Sequence, residues 1–294
     1  MERLLRKKST ILMFILPALL VYSAVIPVPA LSSVFFGMME WNLIDKMKFV
    51  GWENYAFLFK HDDVFYTSLK NTFIYLALSV LLQLPMAFFL AVVLSKPMRG
   101  KNFFRNVIFL PVTFSGVAVS LMWYFIYHPE IGLVNRLLEI LHLGGWRHAW
   151  LADADTALYA VIVSVAWQYV GYHMVIYLAG HTTIPSEIIE SARIDGAGEW
   201  QIVKSIVFPY LIPMLKVSAV LITTSSLKSF DSIFIMTQGG PNHATEVIAS
   251  HMYTKAFAQL QYGYGSAVST MLMLFCIAAT LLLNRLFRRE DIDA

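Results

Sequence analysis

This sequence predicts an all-α integral membrane protein with six transmembrane helices, and three observations carry that expectation. Hydrophobic residues make up 58% of the 294 residues and charged ones 14%, at a mean hydropathy of +0.63; a soluble fold of this composition would leave much apolar surface uncovered. The apolar residues gather near 11–39, 72–94, 107–127, 157–180, 211–236 and 267–283, each stretch long enough, at about 1.5 Å per residue, to cross or nearly cross a hydrocarbon layer roughly 30 Å thick. Stretches such as LALSVLLQLPMAFFLAVVL are apolar on every face, whereas strands of a membrane barrel alternate in polarity.

The first stretch follows MERLLRKK and resembles a secretory leader in its charge. It is too long for one, however, and Pro17, Pro27 and Pro29 interrupt it without a clear small-residue cleavage site, so a retained helix is expected. The segment from Glu40 to Asp63 carries Trp41, Trp52 and Tyr55, which suit a membrane interface. The second and third stretches are joined by SKPMRGKNFFRN, where Pro97 and Gly100 break the helix. Between the third and fourth, LVNRLLEILHL has a 3.6-residue apolar stripe and predicts a short surface helix. Cys276 lies alone inside the last stretch and reads as packing.

Charge sets the orientation. Arg3, Arg6, Lys7, Lys8, Lys96, Arg99, Lys101, Arg105, Arg193, Lys204, Arg285, Arg288 and Arg289 lie at one set of span ends, and the opposite set has only Lys46, Lys48, Lys60, Arg136, Arg147 and Lys255. By the positive-inside rule both termini are expected in the cytoplasm. Two divisions are expected: residues 1–65 as a tail, first helix and outer segment, and residues 66–290 as one membrane domain. There is no hydrophilic catalytic module, no HExxH or CxxC, and no Walker sequence, since Gly100-Lys101 precedes Asn102. The chain is therefore expected to be no enzyme, to hold no metal or cofactor of its own, and to bind no nucleic acid.

After the fourth stretch comes IPSEIIESARIDGAGEWQIVKSIVFPYLIP. Ser186 is placed to cap a helix whose first turns carry Glu187 and Glu190. Asp195-Gly196 then tolerates a left-handed turn, Ala192 and Ala197 keep the corner slim, and a second helix runs from Glu199 toward Pro209. Such a loop also serves as a plain connector. Its residues, however, are similar to the EAA loop, expected over about 181–209, of binding-protein-dependent ABC importers: Glu190, Ala192, Asp195, Gly196, Ala197 and Pro209 match the motif, while Ser191 and Val203 depart from it. SFDSIFIMTQGGPNHAT with AFAQLQYGYGSAVS, and WQYVGYHMVIYLAG before the loop, resemble the first of the two unlike permeases in maltose, multiple-sugar and glycerol-phosphate importers, over Asn71 to Asn284.

The resemblance implies a type I importer transmembrane fold in a bacterial or archaeal cell membrane. It implies a second permease subunit, a cytosolic ABC ATPase dimer supplying ATP and Mg, an extracellular solute-binding protein and a sugar-like substrate. The loop would seat in the ATPase, and Gly239, Gly240 and Pro241 would touch the binding protein. The fourth and fifth helices would line the solute pathway. There Trp167 and His173 accompany Gln168, Tyr169 and Tyr172, which share one helical face, as Ser225, Ser226 and Ser229 share another. Hydroxyls, amides and aromatic faces suit a sugar, though the same residues also serve as interhelical glue. Lys228 and Asp231, three apart on the expected fifth helix, are read as a structural pair, and His173 has no companion at metal-ligand spacing. The competing reading is an ion-coupled secondary transporter, which needs intramembrane coupling sites and often shows inverted repeats.

Overall fold

The structure is a computed structural model and describes residues 8–288; Arg3, Arg6, Lys7 and Arg289 lie outside them. Its helices are α1 (Lys8–Val25), α2 (Pro27–Phe36), α3 (Glu53–Lys60), α4 (Asp63–Ser95), α5 (Lys101–Phe109), α6 (Gly116–Ile126) and α7 (Leu133–Ile140), followed by α8 (Ala157–His181), α9 (Ser186–Ile194), α10 (Glu199–Ile202), α11 (Phe208–Leu227), α12 (Asp231–Met236), α13 (Ile248–Tyr253) and α14 (Tyr262–Arg288). Among the described residues, five helical segments are long and apolar enough to cross a membrane. They become six if α5 with its following turn and α6, bent by 100° at their junction, form one span. Two packing units emerge, residues up to Asp62 with His251–Phe275, and Asp63–Ser250 with the residues from Cys276.

In the first unit, β1 (Met39–Glu40) pairs antiparallel with β2 (Lys48–Phe49), and the turn between them is closed by Asn42 Oδ1, which accepts from the amides of Ile44 and Asp45. Asn54 donates to the carbonyls of Gly37 and Met39, both at 2.9 Å. The buried Asp62 carboxylate bonds His251 Nε2 at 2.9 Å and accepts from the Tyr264 hydroxyl. Buried carboxylates require such partners.

In the second unit, α4 packs along α8, and α11 lies against both. One apolar core joins Ala87, Ala91 and Leu94 of α4 to Met174 and Tyr177 of α8, to Ile202 of α10 and to Leu211 of α11. A second gathers Tyr75, Tyr127, Val161, Ile162 and Ile233. Gly171 permits a close approach: a Cβ there would strike the Ile108 carbonyl and lie 2.9 Å from Phe109 Cα.

Three expectations change in detail. The third span is not one straight helix: a short 3-10 turn runs over Leu110–Thr113 with Pro111 second in it, and Phe114 is extended, with ψ 151°, so the backbone ladder stops and restarts at Gly116. The fifth does not run to 236. Ser225 Oγ bonds back to the Ile222 carbonyl at 3.0 Å, a competition that weakens helix ladders; α11 ends at Leu227 and the chain turns through Lys228–Phe230 before α12. Ser186 is the first residue of α9 rather than its cap; Pro185 holds the cap position and no side chain caps the helix. The surface helix expected from LVNRLLEILHL is present as α7, secured by buried Asn135, which donates to the carbonyls of Pro129 and His148 and accepts from Trp150 Nε1.

Candidate functional site

The middle of α8 and the end of α11 face each other across a cavity of about 370 Å³, within the rough range of 300–1,000 Å³ typical of small-molecule pockets. All six residues expected to line a pathway, Gln168, Tyr169, Tyr172, Ser225, Ser226 and Ser229, line it, together with Tyr75 and Gln83 of α4 and His173. Trp167 does not; its ring meets Trp123 edge-on at 5.6 Å. Tyr169 and Tyr172 present partly open faces, whereas Gln168 and Ser226 are buried. Gln168 has a second task, donating from Nε2 to the Phe114 carbonyl at 3.3 Å. That carbonyl sits where the third span breaks, and an apolar surround makes any unpartnered backbone group expensive. The amide thus fixes the bend beside the cavity.

Lys228 and Asp231 also line the cavity, and here the expected structural pair is corrected. Both side chains are exposed and make no ion pair with each other. The reason is the break in α11: Lys228 is the C-cap, at φ −98° and ψ 9°, and Asp231 starts a new helix, so the three-residue spacing no longer places them on one helical face. The two charges stood out in sequence, but neither their place on the cavity nor their separation did.

The chain between α8 and α11 forms a hairpin. Helix α9 ends in a Schellman closure: the Ala197 amide bonds the Ala192 carbonyl at 2.9 Å and the Gly196 amide bonds the Arg193 carbonyl at 3.1 Å. Gly196 takes φ +84°, with open space where a Cβ would stand. Glu199 then ties the hairpin down, bonding Lys96 at 2.8 Å and Arg193 at 3.1 Å. Ala192 and Ala197 turn inward onto the apolar core, so they seat the hairpin on the bundle. Asp195 and Gly196 are exposed, and Glu190 borders a small groove under the hairpin that Val203 also lines. Ile194, 86% exposed at the tip, was not singled out by sequence; an apolar residue inside the polar string Arg193-Ile194-Asp195 was its signal.

The segment after α12 is held closed from inside. Asn71 Nδ2 donates to the carbonyls of Ala244 and Glu246 at 3.0 and 2.9 Å, and Thr245 Oγ1 donates to the Gly240 carbonyl at 2.7 Å. Of the three residues expected to touch a partner, Gly239 is buried, and a Cβ there would strike the Glu246 carboxylate. It shapes the loop instead. Gly240 and Pro241 are half-buried, while the exposed tip is Asn242 and His243. Among the described residues no cluster of His, Cys, Asp and Glu has the makings of a metal site.

A bundle of apolar helices walling a cavity edged by hydroxyl and amide groups, with a hairpin joining two of its walls, is the build of a membrane permease. Residues 64–291 match the family described as binding-protein-dependent transport system inner membrane component, and the chain belongs to it: it is an ABC importer permease. It is 35% identical over 272 residues to the probable ABC transporter permease protein PH1215 of Pyrococcus horikoshii, covering 92% of this chain and 93% of that one. It is 30% identical to the multiple sugar-binding transport system permease protein MsmF of Streptococcus mutans, covering 90% of each. The fold matches, at a TM-score of 0.83 and 23% identity over 95% of both chains, a crystal structure of a bacterial ABC transporter involved in the import of the acidic polysaccharide alginate.

Proposed function

We propose that this chain forms half of a transmembrane route for a sugar or related polar solute, paired with a second permease and driven by a separate cytosolic ATPase dimer that binds ATP and Mg. The single observation that carries this reading is that the two helices walling the hydroxyl- and amide-lined cavity, α8 and α11, are joined by the exposed hairpin packed on the bundle. On this reading the hairpin lies on the cytoplasmic side of the cell membrane with both termini. Glu190, Ile194, Asp195 and Gly196 meet the ATPase, and Ala192 and Ala197 carry its motion inward. Aromatic faces and uncharged polar groups in the cavity match the needs of a sugar ring, and MsmF is a relative named for sugar transport. Loaded binding protein meets the opposite end of the bundle near Pro241, Asn242 and His243.

The test is made on the assembled complex, measuring ATPase association and solute uptake separately in Gly196→Asp and Glu190→Ala. Gly196→Asp is expected to weaken association and uptake together, because a side chain at φ +84° is strained and projects into open space toward the ATPase. Wild-type association and wild-type uptake in both variants would reduce the hairpin to a connector. Uptake that persists in a strain lacking the ATPase would identify an ion-coupled carrier instead.

A further inference from the structure

We propose that Lys228 and Asp231 are specificity-determining residues of the cavity, and that with His173 they take a solute that is uncharged and rich in hydroxyl groups while turning away acidic ones. The inference rests on the proposed reading of the cavity as the solute route and names the chemical class that route accepts.

Two opposite charges line one cavity, and neither is consumed by the protein: both side chains are exposed, and among the described residues neither makes an ion pair or a side-chain hydrogen bond. Charges within a membrane domain are costly unless solvated or paired, so two that stay apart while sharing a cavity are served by what fills it. The backbone keeps them apart. Lys228 caps the twenty-residue α11, beside end carbonyls that favour a cation, and Asp231 follows only after the irregular turn at Phe230. A third group points to a ligand independently. His173 is 3% exposed and lines the same cavity, yet its Nδ1 has no partner. Buried ring nitrogens are ordinarily bonded; water serves here when the route is empty, and a solute hydroxyl replaces it.

The chemistry of the set selects the class. A carboxylate accepts from two hydroxyls and an ammonium donates to hydroxyl or ring oxygens, so one of each, summing to no net charge, suits a neutral polyhydroxylated molecule. An acidic solute drawn to Lys228 would meet Asp231. Among the described residues no arginine lines the cavity to supply the bidentate fork that carboxylates favour.

The test uses the whole transporter, with its partner permease, ATPase and binding protein, in proteoliposomes. The probes are a panel of uncharged di- and trisaccharides, including maltotriose and raffinose, set against di- and trigalacturonate. ATP-dependent uptake of an uncharged probe, without the acidic ones, is expected. Uptake of the acidic probes at an equal or greater rate overturns the charge inference and leaves the carbohydrate reading standing, whereas uptake of no probe in either set overturns the carbohydrate reading. Lys228→Met and Asp231→Asn should each lower uptake by about tenfold or more while hydrolysis stimulated by loaded binding protein falls less than about twofold, raising the ATP spent per solute moved. Equal losses in both measures mark a structural role and overturn the proposal. The exchange Lys228→Asp with Asp231→Lys restores uptake if the two are only counter-ions, and fails to restore it if each meets a particular part of the solute. Assembly of each variant is checked by gel filtration, with Lys228→Arg and Asp231→Glu replacing any that does not assemble.

Discussion

Two glycines illustrate how differently one residue type is used. At Gly171 the missing side chain lets α8 touch the backbone of α5, and any Cβ meets a carbonyl that cannot step aside. At Gly196 nothing stands near, and only the left-handed backbone asks for glycine. Gly171→Ala should therefore cost about 1–3 kcal/mol, as overpacked sites do, and Gly196→Ala only about 1 kcal/mol from the unfavourable φ. The thermal midpoint of the detergent-purified complex should fall further for the first than for the second; equal shifts would mean the α5–α8 contact is not close-packed. Sequence pointed to Gly196, since Asp-Gly announces a turn, but was silent on Gly171, whose neighbours in space are far away in the chain. The Gln168 contact with the Phe114 carbonyl was hidden for the same reason. Helical spacing assigned the correct face of α8 and could not say what that face would touch.

At the level of elements, what the sequence announces is length and evenly distributed apolarity, and the long helices follow from these alone. Interruptions are harder to foresee because they depend on tertiary partners. The bend at Phe114 is stabilised by an amide from α8, and the break after Leu227 accompanies the stacking of Phe230 on Phe234 at 5.1 Å. The loop of 237–247 reads in sequence as a stop signal, GGP, yet it is ordered by Asn71 on a helix far earlier in the chain. Asn71→Ala strips donors from buried carbonyls, each loss worth about 1–3 kcal/mol. Hydrogen exchange at the amides of Ala244, Thr245 and Glu246, which close turns within this loop, should accelerate, while the amides of the hairpin at 195–197 keep their wild-type rate. Unchanged exchange in the loop would show that its own turns suffice. Helix α3 and helix α13 were not anticipated at all: each is short, mixes aromatic with polar residues, and shows no sustained apolar period.

For the whole molecule, exposure alone does not separate lipid from water. Leu81 is 65% exposed, while Tyr169 and Tyr172 are 39% and 38% exposed and line the cavity. In a Cys276→Ala background, cysteines at 169, 172 and 225 should react with a small water-soluble thiol reagent in the membrane, those at buried 168 and 226 more slowly, and one at 81 hardly at all. Equal rates at 81 and 172 would contradict a lipid-facing surface there. The hairpin has a mechanical consequence as well. The two arms it joins are unequal: from His181 back to Tyr172 is about 14 Å of helix, and from Glu199 forward to Ser225 about 39 Å. On the proposed coupling role, rocking the hairpin through a small angle moves the end of the longer arm, the serine end of α11, further than the tyrosine face of α8. On that reading the cavity walls slide past each other as the jaws of offset shears do, and a solute gripped from both sides loses its two sets of partners in unequal measure, the serine side first.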